Sequence, residues 1–191
     1  MALFTEQQLV DRFNTNYRMR GFNYYDDPQA KAKEFINESI MEQRLSAYVS
    51  SKSYDIFLSH SSSDARHVYG LKLELEDRGY SVYVDWIEDP ELDRSHVSKV
   101  NAEYLRKRMK QCKSLLYAFS KNAASSTWMP WELGYFDGIK GTVAVLPISK
   151  SDDNGFSGNE YLSLYPYIDK AGNVVYVNFS SSNYKKFDDW L

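Results

Sequence analysis

The stretch that decides the fold is YDIFLSHSSSD, which runs from Tyr54 to Asp64. Its first six residues are mostly aromatic or aliphatic, and this short apolar run predicts a strand buried on both faces. The polar residues that follow predict a loop at the carboxyl end of that strand. Apolar residues at helical spacing then predict an amphipathic helix that ends near Gly79. The stretch therefore predicts the first strand–loop–helix unit of an α/β domain.

The same alternation of apolar strands and helical segments continues toward the end of the chain. The strands are expected at residues 54–59, 80–84, 114–119, 142–148 and 173–179. Because each strand is a nearly continuous apolar run, we expect a parallel sheet with helices on both faces. Right-handed crossovers make an open sheet the simplest arrangement. The predicted fold class is α/β, a doubly wound sheet of five parallel strands spanning residues 54–191.

Residues 1–50 are predicted to form an N-terminal helical extension that is separate from this domain. Leu9, Phe13 and Tyr17 lie four residues apart, and Thr5 is placed to cap the first helix. Pro28 lies in the predicted first turn of a second helix. We expect the two helices to pack on the main domain or on a second subunit, so a homo-oligomer is one hypothesis.

Composition indicates an ordinary globular protein of the cytoplasm. The chain has 191 residues, of which 43% are hydrophobic, and it contains no apolar run long enough to span a bilayer. A formal net charge of −3 gives no general attraction to nucleic acid or to anionic membranes, so neither is expected as a partner. The single cysteine, Cys112, is placed on the apolar face of a predicted helix, which argues against a thiol nucleophile.

The motifs of several common enzyme classes are absent. No G-x-G-x-x-G follows the first strand, and no G-x-x-x-x-G-K-[ST] occurs, so neither a Rossmann dinucleotide site nor a P-loop is expected. His60, His67 and His96 lack the spacing of metal ligands, and no metal site is expected.

Three polar loops follow predicted strands and are expected to converge. They are SHSSSD, DWIEDPELDRS and SKNAASSTWMPWE. In an open α/β sheet, ligands bind beyond the carboxyl ends of the strands, at the point where the strand order reverses. The three loops are therefore the predicted ligand-binding region.

The stretch SSTWMPWELGYF places one carboxylate among aromatic residues. On a helix, Glu132 shares its side with Trp128, Tyr135, Phe136 and Ile139. Ring surface desolvates a carboxylate, and an isolated buried charge is costly unless donors compensate for it. One interpretation is a first-turn acid favoured by the helix dipole, with Trp128 in the core. The other is an acid held in place for chemistry. The residues alone leave both interpretations open.

Residues 54–148 resemble the TIR domain, the Toll/interleukin-receptor module. YDIFLSHSSSD is similar to its first strand and loop, and YSVYVDW is similar to its second strand. SLLYAFSKNAASSTWMPWEL is similar to its third strand followed by S-x-W-x-x-x-E, here Ser126, Trp128 and Glu132. The resemblance implies a flavodoxin-like doubly wound sheet, in agreement with the strand pattern. Among TIR proteins, the chain is most similar to the small bacterial TIR components of the Thoeris anti-phage system.

That resemblance implies an enzyme that cleaves NAD+, its substrate, and requires no cofactor. Nicotinamide would be released, and a cyclic ADP-ribose isomer would activate a separate effector protein. Glu132 would be the catalytic residue, because a fixed carboxylate stabilises the positive charge that develops on the sugar, and Trp128 would form an aromatic wall of the site. One alternative is a TIR adaptor that acts only through protein contacts. A weaker one is a nucleotide sensor that binds without turnover.

Five further residues are candidates for substrate binding. Ser59, His60 and Asp64 follow the first strand and are placed to bind ribose or phosphate, although a helix N-cap made by Ser63 or Asp64 is an alternative. Asp85 and Trp86 end the second strand and either flank the substrate or pack together within the loop.

Overall fold

The computed structural model describes residues 1–19, 52–89, 92, 98–150, 156 and 160–191. Its strands are β1 (Phe4–Thr5), β2 (Tyr54–Ser59), β3 (Val82–Tyr83), β4 (Cys112–Phe119), β5 (Val143–Ser149), β6 (Tyr167–Ala171), β7 (Val174–Ser180) and β8 (Asn183–Lys186). Its α-helices are α1 (Glu6–Met19), α2 (Ala65–Glu76), α3 (Asp85–Glu88), α4 (Lys99–Gln111) and α5 (Trp128–Lys140). Short 3₁₀ helices span Ser62–Asp64, Ala123–Ser125 and Glu160–Leu164.

All eight strands belong to one sheet, in the order β3-β2-β4-β5-β6-β7-β8, with β1 beside β5. The strands from β3 to β6 pair in parallel, whereas β6, β7 and β8 pair antiparallel. The strand order reverses at β2, because β3 lies on one side of it and β4 on the other. This arrangement confirms the predicted α/β class and the doubly wound sheet.

The sheet has more strands than the five predicted, and the fifth parallel strand of the main order is β6 instead of residues 173–179. The segment predicted as the fifth strand forms β7, but it runs back along β6 in a hairpin that turns at Gly172, where φ is +59°. Gly172 tolerates this left-handed conformation because it has no Cβ. The sequence did not indicate β6, since Pro166 precedes it and the charged residues Asp169 and Lys170 interrupt its apolar pattern.

Each face of the sheet is covered by helices and carries its own core. One core packs Ile56 and Leu58 of β2 against helices α1 and α2. The other packs Phe57 of β2 against helices α4 and α5, including Leu105 and Phe136. Side chains of a strand alternate between faces, so Ser59 follows Phe57 toward α5. This alternation directs the end of β2 toward the helix that carries Glu132.

The N-terminal segment is built into the domain rather than lying apart from it. The Thr5 hydroxyl accepts a hydrogen bond from the Gln8 amide at 3.2 Å, which caps α1 as predicted. Leu9 and Phe13 are buried against α2, and β1 pairs with the end of β5. The apolar face of α1 is thus occupied within the monomer and is not available to a second subunit. The second predicted helix lies outside the described residues, and the boundary near residue 50 stays a prediction.

Three local predictions, which concern residues 80–84 and 112–119, are wrong. The strand predicted at residues 80–84 is reduced to Val82–Tyr83, because α3 begins at Asp85. Cys112 begins β4 instead of lying on a helix, and the strand predicted at residues 114–119 therefore begins two residues earlier. The buried positions of α4 are Leu105 and Met109. None of the helices in the described ranges combines the length and apolarity needed to cross a bilayer.

The close packing of α1 on α2 depends on Gly70. A Cβ at this position would lie 2.0 Å from the Leu9 carbonyl oxygen, which is backbone and cannot rotate away. We predict that Gly70→Ala lowers the free energy of unfolding by about 1–3 kcal/mol, because the helices have to separate. Urea denaturation followed by circular dichroism measures this change.

Gly138→Ala is the matched control, since a Cβ at Gly138 on α5 meets nothing within 4 Å. This variant is expected to gain about 0.5–1 kcal/mol from improved helix propensity. Equal stability changes in the two variants would contradict the packing of α1 on α2.

Candidate active site

The three predicted loops converge at the carboxyl edge of the sheet, joined by side-chain hydrogen bonds. Asp64, in the loop after β2, accepts a bond from the Asn122 side chain at 2.6 Å and another from the Ser120 hydroxyl, both after β4. His60, also after β2, accepts a bond from the Trp86 indole N–H at 2.6 Å, after β3. The predicted convergence is therefore confirmed for the residues that the structure describes.

Glu132 lies on α5 beneath this edge and has no exposed surface. The Ser59 hydroxyl donates a hydrogen bond of 2.6 Å to its Oε2 atom, and Ser59 is itself fully buried. Helix α5 begins at Trp128, so Glu132 is its fifth residue and lies beyond the first turn. The interpretation of Glu132 as a first-turn acid favoured by the helix dipole is therefore wrong. The acid is buried between the helix and the end of β2.

Fewer of the predicted apolar neighbours are buried beside Glu132 than the helical pattern predicted. Trp128 and Phe136 are buried in the same core, 6% and 0% exposed. Tyr135 instead stacks on Trp131 with ring centroids 5.8 Å apart, and Ile139 is 40% exposed. The buried rings next to Glu132 along this helix are therefore Trp128 and Phe136, and the Trp131–Tyr135 stack continues outward from Trp128, whose ring centroid lies 5.5 Å from that of Trp131.

Tyr117 is a site residue that the sequence did not reveal. It lies on β4 in register with Ser59 of β2, and it is 2% exposed. Burial, a hydrogen bond with Tyr161 and the nearby charge of Glu132 together raise the pKa of Tyr117 to about 12. Strand pairing alone brings Tyr117 next to Ser59, and its position within an apolar run gave no signal.

Asp64 holds two loops together as an ionised group. Burial alone would raise its pKa, but the His67 ring, 3.8 Å away, and the hydrogen bonds from Ser120 and Asn122 outweigh that effect and lower the pKa below its ordinary value. Its side chain makes no capping bond to the helix that follows. Asp64 does occupy the N-cap position of α2, as the alternative predicted, but its carboxylate bonds to Ser120 and Asn122 instead of capping the helix. Asp64 links the loop after β2 to the loop after β4.

A second group of side chains in contact, after the Ser59–Glu132 pair, consists of His60, Asp85 and Trp86. The His60 Nδ1–H donates to the Leu58 carbonyl oxygen at 2.8 Å, because Nε2 accepts from Trp86 and must lack a proton. Asp85 Oδ1 lies 3.4 Å from His60 Nε2, and both side chains are 2% exposed. Trp86 packs against the core on the α2 face of the sheet. Both ring nitrogens of His60 are thus engaged within the protein.

A third cluster, around Asp89, was also not predicted. Asp89 follows α3, is 5% exposed, and accepts hydrogen bonds from the hydroxyls of Tyr83 and Tyr104 at 2.7 and 2.6 Å. The Arg108 guanidinium pairs with the same carboxylate, with Nε 2.8 Å from Oδ2. Burial raises the pKa of Tyr83 and of Tyr104, and the Asp89 charge adds to the effect. This paired, hydrogen-bonded carboxylate fixes the end of α3 on α4.

The predicted site residues therefore fall into separate local groups at one edge of the sheet. Ser59 contacts Glu132 directly, while His60, Asp85 and Trp86 contact one another and Asp64 bridges two loops. Their roles toward a substrate stay predictions. In the described parts of the chain, no three His, Cys, Asp or Glu side chains are arranged to hold a metal ion. The predictions that no metal and no cofactor are required are not tested by this finding.

We predict that removing the Ser59 hydroxyl is costly because it takes a donor from a buried carboxylate. Ser59→Ala should lower the free energy of unfolding by about 1–3 kcal/mol. In a Glu132→Gln background the same change should cost less, since the amide is neutral. A double-mutant cycle by urea denaturation measures the coupling, and zero coupling would show that the two side chains do not interact.

The lowered pKa of Asp64 predicts a pH dependence of stability. A carboxylate whose pKa is lower in the folded state stabilises the fold above its unfolded pKa of about 3.9, and this contribution is lost as pH falls through the folded pKa. The stability difference between the wild type and Asp64→Asn should be largest at neutral pH and shrink below about pH 4. Urea denaturation at a series of pH values measures the difference. A difference that does not vary with pH would contradict the assignment.

Comparisons with known proteins agree with the fold. The profile of the family described as "TIR domain" matches residues 56–190. The chain is similar over its full length to "Probable 3' cyclic ADP-D-ribose synthase ThsB'" of Bacillus cereus (strain MSX-D12), at 48% identity and with 98% of that protein covered. It is also similar to "Putative cyclic ADP-D-ribose synthase TIR2" of Cytobacillus dafuensis, at 30% identity over 55% of this chain and 31% of that protein. This chain belongs to the TIR domain family.

Proposed function

We propose that this protein cleaves NAD+ at the bond between nicotinamide and ribose and makes a cyclic ADP-ribose isomer. The observation that carries the proposal is the fully buried Glu132, hydrogen-bonded to Ser59 and walled by rings at the carboxyl edge of the sheet. The full-length similarity to a protein named as a cyclic ADP-ribose synthase supports the same reaction. Glu132 is the proposed catalytic residue.

Glu132 acts on the sugar rather than on the leaving group. Breaking the glycosidic bond gives an oxocarbenium-like ribose, and a fixed carboxylate stabilises that positive charge in a site of low polarity. The electron pair of the broken bond leaves with nicotinamide, which becomes neutral, so no general acid is needed. The Ser59 hydroxyl orients the carboxylate, and Trp128 supplies apolar ring surface beside it.

The closure of the site favours a cyclic product over a linear one. Water attacking the anomeric carbon would give ADP-ribose, whereas a nucleophile in the adenosine half of the same molecule gives a ring. Glu132 has no exposed surface, and Trp128 and Phe136 bury the region around it. Excluding water while the substrate folds back on itself favours the intramolecular attack.

The remaining assignments extend this proposal to the setting in which the enzyme works. Ser59, His60, Asp64, Asp85 and Trp86 are proposed to shape the binding region at the carboxyl edge. The product is proposed to pass to a separate effector protein during anti-phage defence in the cytoplasm. Assembly into a homo-oligomer is a further part of the proposal, through a surface other than the occupied face of α1.

A non-catalytic adaptor is the second candidate function. The observation that favours it is the complete burial of Glu132, since a substrate has to touch a catalytic acid. An adaptor would keep its partner contacts when Glu132 is replaced, whereas the enzyme would lose its product. The two functions are therefore separated by one substitution.

We predict that Glu132→Gln abolishes the release of nicotinamide from NAD+ while the fold is retained, because the amide carries no charge. Purified protein and lysates of phage-infected cells should be analysed by mass spectrometry for nicotinamide and for ADP-ribose isomers, with the 3′ cyclic isomer as a standard. Circular dichroism verifies the fold.

Glu103→Gln is the matched control, since Glu103 is an exposed carboxylate on α4 that pairs with the exposed Lys99 at 3.9 Å. Its activity should equal that of the wild type. If wild-type protein from infected cells never releases nicotinamide, the enzymatic function is wrong. If Glu132→Gln still produces a cyclic isomer, Glu132 is not the catalytic acid.

A further inference from the structure

Residues 160–165, named here the cover segment, are bonded to both elements that flank Glu132. The Tyr117 hydroxyl of β4 is hydrogen-bonded to Tyr161, and Tyr117 pairs in register with Ser59, whose hydroxyl donates to Glu132 at 2.6 Å. The Tyr165 hydroxyl donates a bond of 2.9 Å to Asp137 Oδ2, one turn and a half beyond Glu132 on α5. The cover segment thus spans from the strand on one side of the acid to the helix that carries it.

The cover segment is attached more weakly than the elements beneath it. Within it, Leu162 is 5% exposed and packs in the core with α5, whereas Leu164 is 80% exposed and Tyr161 is 41% exposed. It consists of one short 3₁₀ helix, a structure with poorer hydrogen-bond geometry than an α-helix. Segments with few buried apolar groups and exposed hydrogen bonds open locally before the core does.

We propose that the cover segment is a lid that closes the Glu132 site and has to open before NAD+ can bind. Tyr161–Tyr117 and Tyr165–Asp137 are its two latches, and Leu162 is its apolar anchor. The lid rests on the proposed function, since opening has a purpose only if a substrate reaches Glu132. A closed lid accounts for an acid with no exposed surface in a resting protein. It also returns over the substrate to exclude water once NAD+ is bound.

Tyr161→Phe and Tyr165→Phe each remove one latch, because the substitution keeps the ring and deletes the hydroxyl that makes the hydrogen bond. Each lost hydrogen bond should raise the population of the open lid about two- to tenfold. Tyr184→Phe is the matched control, because Tyr184 is half-exposed on β8 and contacts the Tyr176 ring. Circular dichroism and thermal melting verify that each variant folds. If the double variant does not fold, the single variants are used for the measurement.

Access to Glu132 is measured by labelling carboxyl groups with a water-soluble carbodiimide and glycinamide, followed by peptide mass spectrometry. In the wild type, Glu132 should react far more slowly than the exposed Glu103 of the same molecule. In the double variant, which carries both Tyr161→Phe and Tyr165→Phe, labelling of Glu132 should accelerate by at least the factor expected for the loss of one hydrogen bond. Labelling in Tyr184→Phe should match that in the wild type. Basal nicotinamide release should rise in the same proportion.

The two readouts separate the lid from the proposed function. Unchanged labelling of Glu132 in the double variant overturns the lid, even if the wild type releases nicotinamide. Labelling of Glu132 as fast as Glu103 in the wild type also overturns it. Faster labelling without nicotinamide release by any form supports the lid and contradicts the enzymatic function. Faster labelling with unchanged release in an active protein overturns the claim that opening controls NAD+ entry.

Discussion

The hydrogen bond from Ser59 to Glu132 is the contact on which the site depends. A carboxylate removed from water is costly unless donors replace its hydration, and the Ser59 hydroxyl is a buried donor 2.6 Å away. That donor is available because β2 ends at Ser59 with its side chain toward α5. The order of strands and the alternation of side chains along β2 therefore place the acid. The two cores on either side keep strand and helix in register.

In the proposed reaction, the burial of Glu132 favours the chemical step but hinders the binding of the substrate. In that reaction, the buried rings of Trp128, Phe136 and Tyr117 lower the polarity around the carboxylate, which strengthens its interaction with a cationic sugar and keeps water from the anomeric carbon. The same burial prevents NAD+ from reaching the acid. A protein of this kind needs an element that opens, and the short segment hydrogen-bonded to both β4 and α5 is the element that the structure offers.

The sequence predicted the parts of the fold that have clear periodicity. Strands β2, β4 and β5 were predicted from nearly continuous apolar runs, and helices α1 and α2 from apolar residues at helical spacing. Strand β1 was too short to detect, and β6 was obscured by Pro166 and its charged residues. In the site, Glu132 was singled out by the aromatic residues around it on a helix and by the resemblance to the TIR domain, and Ser59 by its position at the end of the first strand. Tyr117 and the Asp89–Arg108 pair were not, because strand pairing and helix packing bring them to their partners across 19 or more residues of chain.

The central claim is that Glu132 meets the nicotinamide ribose of NAD+ inside a ring-lined site. The most direct measurement is a crystal structure of the Glu132→Gln variant with NAD+ bound, in which cleavage is blocked and the substrate stays intact. The account predicts the nicotinamide ribose within hydrogen-bonding distance of the side chain at position 132, with Trp128 beside it. NAD+ bound elsewhere on the protein, with that side chain still sealed beneath Tyr117, would contradict the account.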